Sequence, residues 1–263
     1  MDGLLSSPII VLNIDLLITA KSDRLCPFCV SLDNPPSAPA SMIRVESDSA
    51  LTLSFLSFSF SLPASINSII ISSSGIVHID SCLVQGMTLS QPFLISTQSS
   101  HTISNSAFLS STFQSSAIVL SDCQSLSVED TIIANNSFEP SFLECSSSQT
   151  SFVSLTVSNN SLKQDSSLFA LSIIPITTTE DTPFLHISSS SFTPSQTTPA
   201  PLFVSVASEC RSNVILVNAT FSHSTSSQAK KPAIAVKWKK RQPLLLRRRV
   251  VCDNSFVMVS QSQ

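Results

Sequence analysis

LHISSSSF at residues 185–192 and VILVNATF at residues 214–221 share one spacing: an apolar residue, a second two positions on, and a third five positions after that. The first two, being two apart, point to one face of a strand. Outward from these two copies the same spacing recurs, giving seven copies at intervals of 24 to 30 residues. The middle residues are Leu53, Ile79, Ile103, Val128, Val157, Ile187 and Leu216. Two positions before them stand Leu51, Val77, His101, Leu126, Leu155, Leu185 and Val214. Five positions after them stand Phe58, Val84, Phe108, Ile133, Leu162, Phe192 and Phe221. Of these 21 positions 20 are apolar, with His101 the exception, although only 42% of the chain is apolar. A self-similar period of this length marks a solenoid or array, because one unit cannot bury its apolar face alone.

A second apolar cluster follows each copy, as in Ile69-Ile70, Phe93-Leu94-Ile95, Ala117-Ile118-Val119, Phe142-Leu143, Leu168-Phe169 and Leu202-Phe203-Val204. Each repeat therefore carries at least two short strands and no sustained helical stripe. Strands in the same order at a fixed period can pair with their own copies in the next repeat. That predicts an all-β chain, a right-handed parallel β-helix of about seven rungs, the right hand being the default for parallel connections. A corner is expected two positions after each middle residue, at Phe55, Ser81, Asn105, Asp130, Asn159, Ser189 and Asn218. Asn, Asp and Ser bend a chain by bonding their own backbone, and Asn and Asp tolerate the left-handed region. With three glycines in 263 residues, such side chains must supply the turns. A β-sandwich would not need the same code seven times.

The array is read as residues 51–236, preceded by a lead and capping segment with a linker (1–50) and followed by a basic tail (237–263). LDNPPSAPAS at 32–41 reads as the linker. The net charge of −3 conceals an asymmetry: nine of 14 basic residues lie in 230–249, leaving residues 1–229 with five basic and 16 acidic residues, a net of −11. KWKKRQPLLLRRR at 237–249 could meet a polyanion or an anionic membrane, but a solvated tail or a stop-transfer-like end accounts for it, and no nucleic-acid partner is favoured. The apolar run PIIVLNIDLLITA (8–20) is too short to span a membrane and is interrupted by Asn13 and Asp15. It also makes a poor signal peptide, since the acidic start MDGLLSS lacks a basic region.

Seven cysteines show no regular spacing. CPFC (26–29) is a C-x-x-C pair that could be redox-active or half of a zinc site, but nothing nearby completes a metal site and it reads as a local disulfide or free thiols, while Cys82, Cys123, Cys145 and Cys210 read as small buried residues. No cofactor and no metal are expected. Three sequons begin at Asn135, Asn159 and Asn218, the latter two at expected corners, and are candidate N-glycosylation sites. Sixteen Phe accompany no Tyr. The acids to weigh for catalysis are Asp80, Asp122, Glu129, Asp130 and Glu144. A glycosidase needs two carboxylates at a controlled separation. A lyase needs acidic calcium ligands and a base. None of the five basic residues Lys21, Arg24, Arg44, Lys163 and Arg211 lies in sequence beside these acids. His78 alternates with inward Val77 and Ile79 and should point outward; His101 should be a structural exception in the core.

The apolar unit ending in Asn or Ser and then Phe, with Ser-rich connections, resembles the right-handed parallel β-helix repeats of pectin-lyase-like surface proteins. It is most similar to the Ser-rich repeat ectodomains of anaerobic flagellate protists, and more distantly to bacterial polymorphic outer-membrane proteins. The resemblance covers residues 51–236 and implies an extracellular or cell-surface setting and a non-enzymatic adhesion or recognition role, with protein or glycan ligands. The chain lacks a membrane anchor, a clear signal peptide, the glycine-rich turns of many relatives and the catalytic signatures of polygalacturonases, so no catalytic residue carries over. The alternatives are a carbohydrate-active enzyme with a groove near Asp80, Asp122 and Glu129-Asp130, and a fragment of a larger repeat protein without a function of its own.

Overall fold

The computed structural model describes residues 9–11, 15–19, 26–27, 41–46, 49–59, 68–162, 167–173, 185–194, 202–208, 214–222, 234–238 and 257–261. The second half of the C-x-x-C pair, the linker 32–40, Lys163, Cys210, Arg211 and the basic tract 239–249 lie outside them. The described residues are all-β, with no helix. They wind as a parallel β-solenoid whose turns have up to four sides.

The first side stacks Ile9–Val11, Ser41–Val45, Ser68–Ser73 and Leu94–Thr97, then the first parts of Ile118–Glu129 and Leu143–Val153, then Ser167–Ile173, Leu202–Ser208, Ile234–Trp238 and Val257–Gln261. From Ser68–Ser73 to Leu202–Ser208 these are the second apolar clusters of the repeats. The second side stacks Asp15–Thr19, Ala50–Ser54, Ile76–Asp80, Ser100–Ser104, the later parts of Ile118–Glu129 and Leu143–Val153, then Leu185–Ser188 and Val214–Val217. The third carries Leu56–Phe58, Leu83–Gln85, Ala107–Leu109, Ile132–Ala134, Thr156–Leu162, Ser191–Pro194 and Thr220–Phe221. A short fourth side holds Thr88–Leu89, Thr112–Phe113, Ser137–Phe138 and the end of Thr156–Leu162. Part of the lead apolar run is built into this ladder: Asp15–Thr19 pairs in parallel with Ala50–Ser54, and Leu16 and Ile18 pack against the core.

On the second side Leu53, Ile79, Ile103, Val128, Phe152, Ile187 and Leu216 are in register, seven levels of one column. Six are the expected middle residues. The fifth is not Val157: that copy is framed five residues too late. Its unit is Thr150, Phe152 and Val157, with Val157 in the third-side column between Ile133 and Phe192. Leu162 pairs with Phe138 on the fourth side and is only half-buried. The later frame, Leu155, Val157 and Leu162, satisfies the apolar code in full and the true one only in part, so the later one passes as a repeat. The true unit has a threonine, Thr150, in the first column, where its hydroxyl meets that of Ser147 at 2.8 Å.

The turning is done by left-handed residues at three corners. Between the first and second sides these are Ser74, Gln98 and Asp122; between the second and third, Phe55, Ser81, Asn105, Asp130, Ser154, Ser189 and Asn218; between the third and fourth, Gly86, Ser110, Asn135 and Asn159. Every positive-φ residue described has a place in one of these sets. Six of the seven expected corners stand where the sequence puts them. Asn159 is also a corner residue, but of the next corner, and Ser154 takes its expected place.

Among the described residues ten phenylalanines, from Phe58 to Phe221, are fully buried. Ring contacts link them along the axis: Phe58–Phe93 at 5.3 Å, Phe93–Phe108 at 6.0 Å, Phe108–Phe142 at 5.0 Å, Phe142–Phe169 at 5.9 Å, Phe169–Phe192 at 6.2 Å and Phe192–Phe221 at 4.6 Å. Most are edge-to-face, the arrangement the ring quadrupole favours. This core has no place for a tyrosine. A phenol in such a column would bury a hydroxyl with no partner, at a cost of a few kcal/mol.

Candidate functional site

The second side is a continuous outward face of eight stacked strands. Inward residues alternate with outward ones along each strand, so Thr52, His78, Thr102, Ser127, Ser151 and His186 form one outward column in register. Two residues on, Ser54, Asp80, Ser104, Glu129, Val153 and Ser188 form the next. His78 points outward, as its alternation with Val77 and Ile79 requires, between Thr52 and Thr102.

Asp80 is held by its neighbours in that column and at the adjacent corner. Its Oδ1 accepts from Ser104 Oγ at 2.7 Å and Asn105 Nδ2 at 2.9 Å; its Oδ2 accepts from Ser81 Oγ at 3.1 Å and Ser54 Oγ at 3.5 Å. Burial pushes this carboxyl upward, but the donors from Asn105, Ser104, Ser81 and Ser54 outweigh it and hold Asp80 below the usual carboxylate range. It is an ionised tie between rungs. Glu129 stands two rungs away in the same column, about 10 Å along the axis from strand spacing, and accepts from Ser127 Oγ at 2.6 Å. Asp130 is an exposed corner residue beside it. Asp122 belongs to the other edge of the face, and Glu144, on the first side, accepts from Ser116 Oγ. The fold thus brings Glu129 and Asp130 together, sets Asp80 at or beyond the upper end of the range for paired glycosidase carboxylates, and places Asp122 and Glu144 elsewhere.

His101 lies inward, 2% exposed, in the column of Val77 and Leu126. The Val77 N–H donates to Nδ1 at 3.3 Å, so the proton sits on Nε2. Nε2 meets Ser99 Oγ at 2.9 Å, and that hydroxyl donates to the Gly75 carbonyl at 2.6 Å. Burial pushes the imidazole down to about 4. It is a neutral core histidine. The thiols of Cys82, Cys123 and Cys145 are buried, and burial raises all three, Cys82 to about 11 and Cys145 to about 12, so they are poor nucleophiles.

The sequons reveal a feature the sequence hid. Asn135 and Asn159 are exposed left-handed residues, and so is Asn218 at the other corner. The residues that follow the first two, Asn136 and Asn160, are buried and form a ladder. Asn136 Oδ1 accepts from the Ser111 N–H at 2.9 Å, and Asn160 Oδ1 from the Asn136 N–H at 3.0 Å. Their Nδ2 groups donate to the carbonyls of Phe108 at 2.8 Å and Ile133 at 2.7 Å. Ser111 continues the ladder, its Oγ accepting from the Met87 N–H at 3.1 Å. At the other corner Ser106 and Ser190 do the same for the N–H groups of Cys82 and Leu155. The available signal was the Asn-Asn-Ser triplet repeated 24 residues apart: corner residue, buried clamp, outward strand residue.

Comparison with protein-family models, with curated proteins and with solved structures found no match to this chain. What the geometry defines is a parallel β-solenoid with an evenly spaced, largely polar outward face.

Proposed function

We propose that this protein is a non-enzymatic recognition scaffold, a right-handed pectin-lyase-like β-helix displayed at a cell surface or secreted, that binds an extracellular protein or glycan along its second side. The observation that carries the reading is the double column on that side, six levels from Thr52 to His186, made of Ser, Thr, His, Asp and Glu at every place but Val153. Solenoids recognise partners through such extended surfaces, summing many weak contacts. Asp80 is occupied in cross-rung hydrogen bonds and Glu129 accepts from Ser127 of its own strand, which gives both carboxylates structural work.

Antibodies against the array should label intact cells of the organism that makes it, or its medium. Labelling confined to permeabilised cells would remove the extracellular reading. Purified protein should leave pectin, polygalacturonate and other acidic glycans undegraded, with or without calcium. Reproducible turnover that disappears in Asp130→Asn or Glu129→Gln would instead establish a carbohydrate-active enzyme.

A further inference from the structure

Asn135 and Asn159 are 24 residues apart in sequence but neighbours in space. Ala134 pairs with Ser158, and the Asn135 N–H donates to the Ser158 carbonyl at 3.1 Å, so the two corner residues stack on adjacent rungs. Their φ values, 58° and 54°, are nearly equal, so the two side chains leave the backbone in the same direction. Strand spacing sets the corners about 4.8 Å apart. Both residues are exposed, whereas the amides of Asn136 and Asn160 are buried and fully engaged. The hydroxyl residues of the two sequons, Ser137 and Ser161, are also in register.

We propose that this corner carries a single N-glycan, because Asn135 and Asn159 are acceptors that cannot both be filled in the folded molecule. A pyranose ring with its acetamide is wider than one strand spacing, and two glycans leaving adjacent rungs in the same direction compete for one volume. The transfer joins an Asn Nδ2 to the anomeric carbon of a lipid-linked oligosaccharide diphosphate. The glycosyl–phosphate bond breaks, the lipid diphosphate leaves and the amide gives up one proton. Asn135 emerges first during synthesis and is the favoured acceptor. Asn218, at a different corner, two rungs beyond Asn159 and three beyond Asn135, is independent of the pair.

The inference rests on the secretory setting proposed above. The test separates the two, because a heterologous signal sequence sends the full chain through a eukaryotic secretory pathway whatever its native location. Intact-mass and site-resolved glycopeptide measurements on secreted, monomeric protein should show one glycan at this corner, mainly on Asn135. Ser137→Ala removes the first sequon and leaves the corner asparagine in place. It should cost no glycan, occupancy moving to Asn159. Ser137→Ala with Ser161→Ala should lose one glycan mass and leave Asn218 unchanged. Molecules carrying both glycans would overturn the proposal. So would an empty corner in the wild type, or an Asn159 that stays empty in Ser137→Ala.

Discussion

Single residues inside the solenoid carry polar groups whose bonds are the reason they are tolerated. His101 occupies a column whose other members include Leu51, Val77, Leu126 and Leu185. Its folded pKa of about 4 lies below the ordinary 6.5 because burial penalises the imidazolium. The unfolded chain therefore binds more protons than the folded one as pH falls. The stability associated with neutral His101 is fully present above pH 6.5 and is lost as pH drops toward 4, amounting to about 3 kcal/mol from the shift. Denaturant midpoints measured from pH 7 to 4 should fall along that window in the wild type and much less in His101→Leu. Equal slopes would show that the imidazole is not buried in its neutral form. Asn136 offers a second contrast within one sequon. Asn136→Ala strands the Ser111 N–H and the Phe108 carbonyl, and should cost about 2 to 4 kcal/mol in chemical denaturation. Asn135→Ala changes only an exposed left-handed residue and should cost about 1 to 2 kcal/mol. Similar losses at the two positions would mean that the ladder does not clamp the corner.

At the scale of one rung, most of what the fold needs was legible because the same physics repeats. The inward pair on the second side and the inward residue on the third are fixed by apolar spacing, and the corner between them by Asn, Asp and Ser. The fifth rung is ambiguous in sequence because the buried position after the corner is apolar there: Leu155 fills it where the neighbouring rungs place Ser106, Thr131 and Ser190. With Leu155, Val157 and Leu162 all apolar, the later frame fits the code better than the true one, whose first position is the polar Thr150. The asparagine ladder was illegible for a different reason. Asn136 and Asn160 carry no apolar signal, and a buried amide looks like a surface one until its partners on neighbouring rungs are known. The candidate acids were found as residues, but their separation depends on which rungs they occupy. Phe55 tests the corner rule directly. It has φ 56° in a set otherwise made of Ser, Asn and Asp, and its ring is only half-buried. Phe55→Asn should raise stability by about 1 kcal/mol by relieving the left-handed strain. A loss of stability in thermal unfolding would show that packing of the ring outweighs the backbone term.

For the molecule as a whole, the rungs cooperate only with neighbours, so the first ones protect all that follow. Asp15–Thr19 covers Ala50–Ser54, and Ser41–Val45 covers Ser68–Ser73. Leu16, Ile18 and Ile43 thereby lie over Leu51, Leu53 and Ile70, all of which are fully buried. Deleting residues 1–45 would uncover those side chains and leave the backbone of Ala50–Ser54 and Ser68–Ser73 as unpaired edges on two sides of the coil. Unpaired edges of parallel sheet recruit other strands, since each N–H and C=O along them seeks a partner. The truncated protein should elute as oligomers or aggregate at concentrations where the full chain is monomeric. Leu17→Lys provides the control, because Leu17 points outward at 60% exposure and its replacement leaves every strand pairing intact. That variant should remain monomeric. A truncation that stays soluble and monomeric, with the stability of the full chain, would show that the array begins at Ala50 and needs no cover from the strands before it.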